Sequence, residues 1–473
     1  MRHNLKQAAY DYGMIFVLLL LGIIFSFTTI KEQTPDDAAA GRKMGKTLKK
    51  EVVLIVTRDS EQHRTFAEAL RASLSANGNE ILNVLQGEPR DVRKALVAME
   101  NDPGAKRPTV IAGPHATMNW DLFNKGYFDR NFSTLNGVKF VKPATYTWPT
   151  FLTRQNLVNV ATQIVVISII AIGMTMVIIT GGIDLSVGSL IALSASIAAA
   201  IIHHAAGNGP STEVATTVVV GACAVGILAS GCFGFFSGAV TACFKVPSFI
   251  VTLAVMMMVR GYAFKSVGGE AKGSLPDAFT RLGHGDWMGI PISVVLMAVL
   301  YYIAWFVMTQ TIFGRNVYAL GGNAEAARLS GVPTKRITIT VFTICGLLAG
   351  LGGIVLASEL ASGDPKTGTF YELYVIAAVV VGGTSLMGGQ GKILGTLIGA
   401  FIIGVIRNGM NPNGVDPFNQ MIVFGWIILL AVLAEKGKEL MVSAGRSPFA
   451  MLGGLFASRK RGEHRESGHG ENE

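Results

Sequence analysis

The stretch ITGGIDLSVGSLIAL, from Ile179 to Leu193, places a single acidic residue between two strongly apolar segments. Gly181 and Gly182 interrupt the preceding apolar run, and Asp184 comes just before the next one. A carboxylate at this position can accept hydrogen bonds from the free N–H groups of the following helical turn. Lipid offers the backbone no such partners, so the pattern predicts a helix break that is capped inside a membrane. Direct contact between Asp184 and a solute crossing the membrane is a second, compatible interpretation.

The composition is that of a membrane protein with many helical spans. Of the 473 residues, 50% are hydrophobic and only 15% are charged, and the mean hydropathy is +0.45. Soluble globular chains carry more charge than this. A helical span needs roughly 20 mainly apolar residues, and about ten such spans fit this chain. The predicted spans are Tyr12–Ile30, Leu157–Thr180, Leu185–His203, Ala215–Phe244, Ser248–Val267, Ile290–Thr309, Ile337–Ser358, Glu372–Leu386, Ile393–Val405 and Phe418–Ala434.

The net charge of +9 would also fit a nucleic-acid-binding protein, but much of it lies in short segments beside predicted spans. Basic residues in such segments mark the cytoplasmic side of a membrane protein. An even number of spans places both termini on that side, together with the connection 311–336. The four cysteines lie inside apolar stretches without a CxxC spacing, so we interpret them as small core residues. Glycine pairs four residues apart, such as Gly346 with Gly350, predict close packing between helices.

Residues 31–149 interrupt the membrane pattern. The strand-like segments EVVLIVT (Glu51–Thr57), EILNVLQG (Glu80–Gly87) and PTVIAGP (Pro108–Pro114) alternate there with two amphipathic helical stretches. This order predicts a small open α/β unit with parallel strands. The predicted organisation is an N-terminal anchor helix (1–30), an extracytoplasmic α/β insert (31–149), a transmembrane domain (150–439) and a basic, disordered cytoplasmic tail (440–473). A cleaved signal peptide is the alternative for the first helix, because DDAAAG (Asp36–Gly41) follows it.

Several polar residues lie within or at the ends of the predicted spans: Arg260, Glu359, Glu372, Arg407 and Asn408. Charged side chains at membrane depth often mark a substrate path, although a long side chain that reaches the interface from a helix end is commoner. The candidate pathway residues are Asp184, Ser186, Ser189, Glu372 and Asn408.

The stretch YALGGNAEAARLSGVPTKR, from Tyr318 to Arg336, has the residues that begin and end a short helix. Asn323 can cap its start, and Glu325 and Arg328 lie three residues apart on one face. Gly331 ends the helix and Pro333 prevents its continuation. An exposed, well-capped helix in a connection between spans favours a protein partner, and an ordinary solvated loop helix is the alternative.

The sequence contains no convincing catalytic or metal site. GRKMGKT (Gly41–Thr47) mimics a phosphate-binding loop, but it has three residues between its glycines instead of four and no preceding strand. GGTSLMGGQGK (Gly382–Lys392) lacks the lysine-serine ending and is interpreted as a tight turn between spans. His203 and His204 are adjacent on a predicted helix, so they cannot easily face one ion.

Four longer motifs carry a resemblance to a known family. They are TGGIDLSVGSL (Thr180–Leu190), GRNVYALGGNAEAARLSGV (Gly314–Val332), GLLAGLGGIVLASEL (Gly346–Leu360) and AAVVVGGTSLMGGQGKILGTLIGAFIIGVIRNGM (Ala377–Met410). From about Phe151 to Glu439 the chain resembles the permease subunits of bacterial ABC importers for monosaccharides, the ribose, xylose and galactose group. The resemblance implies an all-α polytopic protein of the bacterial inner membrane with a vitamin-B12-importer-like fold, working as a dimer of identical or related copies.

The resemblance also implies how such a permease works. It is not an enzyme and binds no cofactor itself, because a periplasmic sugar-binding protein delivers the sugar and a separate cytoplasmic ABC ATPase uses ATP to drive the gate. The stretch 314–332 would be seated on that ATPase, and a push on it would tilt the attached spans. The implied coupling residues are Gly314, Arg315, Gly322, Asn323, Glu325, Ala326, Arg328, Leu329 and Gly331.

Residues 31–149 depart from the family, whose members usually join the first two spans by a short loop. The strand-helix order of the insert resembles half of a sugar-binding lobe, so the insert either docks or replaces part of the delivery partner or is purely structural. An ion-coupled carrier and a membrane sensor are the alternatives from other functional classes. Nucleosides and branched-chain amino acids are the alternative cargoes within the importer class.

Overall fold

The chain folds into two compact units. The computed structural model describes residues 2–207 and 209–443. Ile30–Thr150 forms one unit, and the described residues on either side of it form the other. The predicted basic tail lies outside the described residues from Ala444 onward.

Helices make up most of the described chain, and the longer strands belong to the unit Ile30–Thr150. In chain order the elements are α1 Arg2–Thr28, β1 Ile30–Gln33, α2 Ala38–Thr47, β2 Val52–Thr57, α3 Glu61–Ala76, β3 Glu80–Gln86, α4 Pro89–Asn101, β4 Val110–Ala112, α5 His115–Met118, α6 Lys125–Asn131, β5 Lys139–Val141, β6 Tyr146–Pro149, α7 Arg154–Ile179, α8 Val187–Ala206, α9 Thr216–Phe244, α10 Ser248–Ser266, α11 Asp277–His284, β7 Asp286–Trp287, β8 Ile290–Pro291, α12 Ile292–Gln310, α13 Ile312–Gly322, α14 Ala324–Leu329, α15 Thr334–Leu360, α16 Tyr371–Val381, α17 Ile393–Met410 and α18 Pro417–Ser443.

A parallel sheet forms the centre of the unit Ile30–Thr150. Its four strands lie in the order β3-β2-β4-β5, and each neighbouring pair is parallel. The elements follow the β-α-β-α-β order that the sequence predicts, with β5 added at the edge. Successive residues of β2 point to opposite faces, so Leu54 and Val56 enter one core and Val53 and Ile55 the other. A separate antiparallel ribbon pairs β1 with β6, so the chain enters and leaves this unit side by side.

Helix α2, which the sequence analysis did not predict, contains the stretch GRKMGKT. The Asp37 side chain caps the helix by accepting a backbone N–H of its first turn at 2.8 Å. A Cβ added at Gly41 would lie 2.6 Å from the carbonyl oxygen of Phe66, and one added at Gly45 would lie 2.6 Å from Cβ of Ser73. The two glycines therefore allow α2 to pack directly against α3 and do not form a phosphate-binding loop.

Among the described residues, seven helices are long and apolar enough to cross a membrane: α7, α8, α9, α10, α12, α15 and α17. Gly13–Thr28 within α1, the whole of α16, and Pro417–Leu433 within α18 are shorter apolar helices. These features are those of a polytopic membrane protein. Helix α16 ends before the predicted Leu386, because Gly382 starts a turn in which Gly383 has a φ of +83°.

The centre of the helical unit is formed by α7 and α15. Helix α7 is buried on all sides over its second half, and α15 packs against α7, α8 and α9. A Cβ added at Gly346 would lie 2.6 Å from the carbonyl oxygen of Ser230, and one at Gly234 would lie 2.4 Å from that of Phe342. The predicted close packing of helices at these glycines is therefore confirmed.

The prediction that all four cysteines are core residues is wrong for two of them. Cys345 is buried, whereas Cys232 and Cys243 on α9 are exposed. Apolar residues on the same helix, such as Leu228 and Phe235, are also exposed. A span that faces lipid is apolar all round, so hydropathy alone does not distinguish a lipid-facing side chain from a core one.

Candidate functional site

A break in the chain separates α7 from α8. The Gly182 N–H donates to the carbonyl oxygen of Val177 at 3.0 Å and closes the last turn of α7. Gly181 has a φ of +79°, a conformation that favours glycine after a helix. Residues 182–186 are not helical, and α8 begins directly after them. The predicted helix break is therefore present.

The beginning of α10 supplies hydrogen bonds to this non-helical segment. The Ser248 hydroxyl accepts from the Ile183 N–H at 2.9 Å. The Thr252 hydroxyl accepts from the Leu185 N–H at 3.1 Å and lies 3.3 Å from the Ile183 carbonyl oxygen, to which it can donate. Irregular backbone at membrane depth is stable only when the protein supplies such partners. The side chains of Ser248 and Thr252 thus hold the segment before α8 against the start of α10.

The Asp184 side chain is fully buried in the break. Its Oδ1 atom accepts the backbone N–H of Ser186 at 2.9 Å and the hydroxyl of Ser186 at 2.6 Å. Its Oδ2 atom has no hydrogen-bond partner among the described residues, and the Cys345 thiol is a polar neighbour of the carboxylate. The capping differs from the predicted one, because the carboxylate bonds the residue just before α8 and not the N–H groups of its first turn. Asp184 forms the local turn that its own sequence position favours.

The first turn of α8 also meets Glu372, at the start of α16. A Cβ added at Gly188 would lie 2.2 Å from Oε2 of Glu372 and 2.4 Å from the carbonyl oxygen of Gly368. Glycine is therefore needed for the carboxylate to reach this turn. A negative charge is favourable near the N-terminus of a helix. Ser189, one residue further along, donates its hydroxyl to the Ser186 carbonyl oxygen at 2.8 Å.

The short helix α14 has each feature that the sequence predicts. The Asn323 side chain accepts the N–H groups of Glu325 and Ala326, at 3.1 and 2.9 Å. Arg328 and Glu325 form an exposed ion pair at 2.6 Å. This pair lowers the pKa of Glu325 and raises the pKa of Arg328. Gly331 follows the helix with a φ of +85°.

Helix α14 presents an exposed surface. Leu329 is 77% exposed, an unusual value for a leucine. Asn323, Glu325 and Arg328 are also exposed, whereas Ala327 is buried against the bundle. One side of α14 therefore packs against the other helices, and its opposite side is exposed.

The end of α13 touches the end of α7, directly before the break. A Cβ added at Gly321 would lie only 1.7 Å from the carbonyl oxygen of Ile179. The same oxygen accepts the Gly389 N–H at 2.8 Å, and the Tyr318 hydroxyl donates to the Gly391 carbonyl oxygen at 2.8 Å. A movement of α13 and α14 would therefore displace the backbone of Ile179, just before the break, because no side chain lies between Gly321 and that residue.

The helical part of the chain matches a known protein family. A family model described as "Branched-chain amino acid transport system / permease component" matches residues 156–432, more than half of the chain. The chain belongs to this permease family. The match begins after the unit Ile30–Thr150, which is therefore an addition to the part that the family shares.

Individual relatives of the permease have more specific names. The ribose import permease protein RbsC of Escherichia coli is 43% identical over 295 residues, which cover 62% of this chain and 88% of RbsC. RbsC of Bacillus subtilis is 40% identical, with 62% and 88% covered. The L-arabinose ABC transporter permease protein AraH of Azospirillum brasilense is 38% identical, with 67% and 89% covered. No solved structure matches the permease.

Four of the five predicted pathway residues lie at the start of α8. Asp184, Ser186 and Ser189 are fully buried there, and Glu372 is partly exposed. Asn408 lies elsewhere, near the beginning of α7, where its side-chain oxygen accepts the Asn156 amide at 2.8 Å. Asn408 therefore lies at the opposite end of α7 from the break.

Sequence reasoning missed the roles of Ser248, Thr252 and Arg260 in the permease. The available signal was a pair of hydroxyl residues four apart at the start of an apolar helix, Ser248 and Thr252. The sequence marks Arg260 as a charge at membrane depth but does not indicate which groups it binds. Its guanidinium donates to the carbonyl oxygens of Pro365 and Thr367, both at 2.8 Å, and so holds the loop that leads into α16.

Proposed function

We propose that this permease is the membrane-spanning translocation subunit of an ATP-driven monosaccharide importer. The relatives described above are import permeases for ribose and arabinose, and the alignments cover most of each relative. The observation that carries the proposal is the exposed, capped helix α14 and its connection through α13 to the end of α7. We call α13 and α14 together the coupling segment.

Three partners follow from this function. A cytoplasmic ABC ATPase would bind the exposed side of the coupling segment and hydrolyse ATP, so that the permease itself has no catalytic role. A periplasmic binding protein would deliver the sugar to the opposite side of the membrane. A second permease copy, identical or related, would complete the path between the two subunits.

The proposed topology has ten spans, made of the seven long helices together with the apolar parts of α1, α16 and α18. An even number places both termini in the cytoplasm, the coupling segment with them, and the insert 31–149 outside. We propose a vitamin-B12-importer-like arrangement of the domain 150–439 in the inner membrane, with residues 1–30 as an anchor and residues 440–473 as a cytoplasmic tail.

The geometry supports a direct mechanism for opening the path. A movement of the coupling segment, driven by the ATPase, would displace the Ile179 carbonyl and change the angle between α7 and the segment 182–186. Because Ser248 and Thr252 tie that segment to α10, α8 and α10 would move together. We assign Asp184 a positioning role, since the carboxylate shapes the turn that α8 starts from.

We propose that Glu372 and Arg260 line one side of the path that the sugar takes. Both side chains are partly exposed, and their charges interact with each other. Charged groups at membrane depth are stable when they face a water-filled cavity or other protein, and they are costly against lipid. A carboxylate and a guanidinium provide the acceptors and donors that sugar hydroxyls require. The side of the permease that carries Glu372 and Arg260 would face the second permease copy.

Reconstitution tests the proposal. The permease is placed in proteoliposomes with its ATPase and binding protein, and uptake of ribose, arabinose, xylose and galactose is measured with and without ATP. We expect uptake of at least one of these sugars that requires both ATP and the ATPase subunit. Sugar uptake that continues without the ATPase would contradict the proposal and favour an ion-coupled carrier.

The description of the matching family favours a second cargo class, branched-chain amino acids. The same proteoliposomes decide between the two classes when leucine and a nucleoside are included in the panel. ATP-dependent uptake of leucine without any sugar uptake would support the importer mechanism and change its substrate.

A further inference from the structure

The unit Ile30–Thr150 contains a cavity of about 350 Å³ between α2 and the loop that follows β5. This volume is within the usual range for a small-molecule site. The cavity lies beside the carboxyl end of β5, the outer strand of the sheet, on the side where the carboxyl ends of the parallel strands meet. Lys43 and Thr47 of α2 line one side, and Lys142, Pro143 and Tyr146 line the other.

The walls of this cavity are fixed by buried contacts. The carbonyl oxygen of Pro143 lies 2.7 Å from Nε2 of His115, a side chain that is almost completely buried. The Asp36 carboxylate accepts the backbone N–H groups of His115 and Ala116, at 2.8 and 3.3 Å. Helix α2 is held against α3 by its two glycines, as described above. The cavity is therefore a preformed feature of the unit.

The surroundings of the cavity are strongly basic. Exposed cationic side chains follow one another along α2 and the residues after it: Arg42, Lys43, Lys46, Lys49 and Lys50. Within the part of the chain that the structure describes, none of these five forms an ion pair. Lys142 adds a further ammonium group on the facing loop, and this group also donates to the side-chain oxygen of Asn119 at 3.2 Å. The one acidic residue of the lining, Asp37, already uses its carboxylate to cap α2.

We propose that this cavity binds a phosphate group carried on a sugar or lipid body. Lys43 and Lys142, on opposite sides, supply the two positive charges for the phosphate, and the surrounding cations increase its local concentration. Met44, Pro143 and the half-exposed ring of Tyr146 supply the apolar surface against which the body of the ligand packs. The ligand is either a soluble sugar phosphate or the headgroup of an anionic phospholipid. Every residue that lines the cavity belongs to the unit Ile30–Thr150.

The test uses the full-length protein in neutral detergent and isothermal titration calorimetry. Ribose 5-phosphate is the soluble probe, and ribose is its uncharged control. The variant Lys43→Gln/Lys142→Gln removes both cavity charges. The matched control Lys46→Gln/Lys49→Gln removes two charges of the same basic run outside the cavity. We expect ribose 5-phosphate to bind the wild type and the cavity variant to weaken this binding at least tenfold, about 1.4 kcal/mol. Any heat released by ribose should be the same for the wild type and the cavity variant. The control variant should weaken it less than threefold.

Binding of a phospholipid headgroup is tested with the same variants in phosphatidylcholine nanodiscs with and without phosphatidylglycerol. Phosphatidylglycerol should then raise the unfolding temperature of the wild type and of the control variant, but not of the cavity variant. The proposal is overturned if neither probe binds, or if both double variants weaken binding equally, since the latter describes non-specific attraction.

Discussion

Replacing Gly321 with alanine tests how the coupling segment is joined to the membrane helices. The added Cβ would lie 1.7 Å from the carbonyl oxygen of Ile179 and 2.6 Å from the backbone nitrogen of Gly389. Real Cβ atoms essentially never approach a neighbour more closely than 3.0 Å. The end of α13 must therefore move away from the end of α7 by more than about 1 Å, an overpacking that distorts the backbone. The hydrogen bond from the Gly389 N–H to the Ile179 oxygen, 2.8 Å long, is lost or weakened in the same movement.

The free-energy cost follows from these changes. Overpacking costs about 1–3 kcal/mol, and a lost hydrogen bond costs about 1 kcal/mol. Alanine in place of glycine within a helix returns about 1 kcal/mol. The expected net destabilisation is about 1–3 kcal/mol. If the same contact transmits the movement of the ATPase, a change of 1.4 kcal/mol between open and closed states already alters their ratio about tenfold.

The assay combines thermal unfolding in detergent with ATP-driven sugar uptake in proteoliposomes. Gly221→Ala is the control, because Gly221 lies inside α9 and an added Cβ there meets no atom within 4 Å. We expect Gly321→Ala to lower both the unfolding temperature and the uptake rate, the latter about tenfold, whereas Gly221→Ala lowers neither. Wild-type behaviour of Gly321→Ala in both assays would refute the close approach of α13 to α7. Lower stability with normal uptake would show that the contact exists but does not carry the coupling.

Two further substitutions test the break and the exposed helix. Thr252→Val should destabilise the protein by about 1 kcal/mol or more, because the part-buried Leu185 N–H then loses its partner. Thr241→Val is its matched control, since that hydroxyl is buried without a hydrogen bond among the described residues; equal unfolding temperatures for the two variants would contradict the role of Thr252. Asn323→Ala removes the cap of α14, worth about 0.5–2 kcal/mol of helix stability, and should reduce ATPase stimulation by the binding protein while lowering the unfolding temperature no more than Thr252→Val does. Unchanged stimulation would mean that the ATPase does not need a formed α14.

The membrane class and the exposed helix could be predicted because their causes are local. Long apolar segments identify the spans, and the residue types around Asn323 and Gly331 begin and end a helix whatever surrounds it. The break at Gly181 was predictable for the same reason. The parallel strands of residues 51–112 follow from the alternation of short apolar and amphipathic segments, although β5 was too short to recognise.

The features that the sequence does not predict depend on contacts between distant parts of the chain. Ser248 and Thr252 bond a segment more than sixty residues earlier. Two hydroxyl residues four apart at the start of an apolar helix indicate a polar contact there, but not which segment they bond. Asn408 was grouped with Asp184 from polarity alone, whereas the structure places it beside Asn156. The spacing of GRKMGKT already excludes a phosphate loop, but the sequence does not predict that Phe66 and Ser73 pack against its glycines. One sequence alone does not specify such pairings.

Binding of an ATPase to the coupling segment is tested most directly by cross-linking from Leu329→Cys, introduced after the four native cysteines have been replaced. The cross-linking is done in membranes that contain the ATPase and the binding protein. Leu329 is 77% exposed, so a cysteine there is accessible to any partner on that face. We predict that the ATPase subunit is captured and that the yield changes when ATP is added. Capture of the binding protein in its place, or no capture of the ATPase in membranes that actively import sugar, would contradict the account.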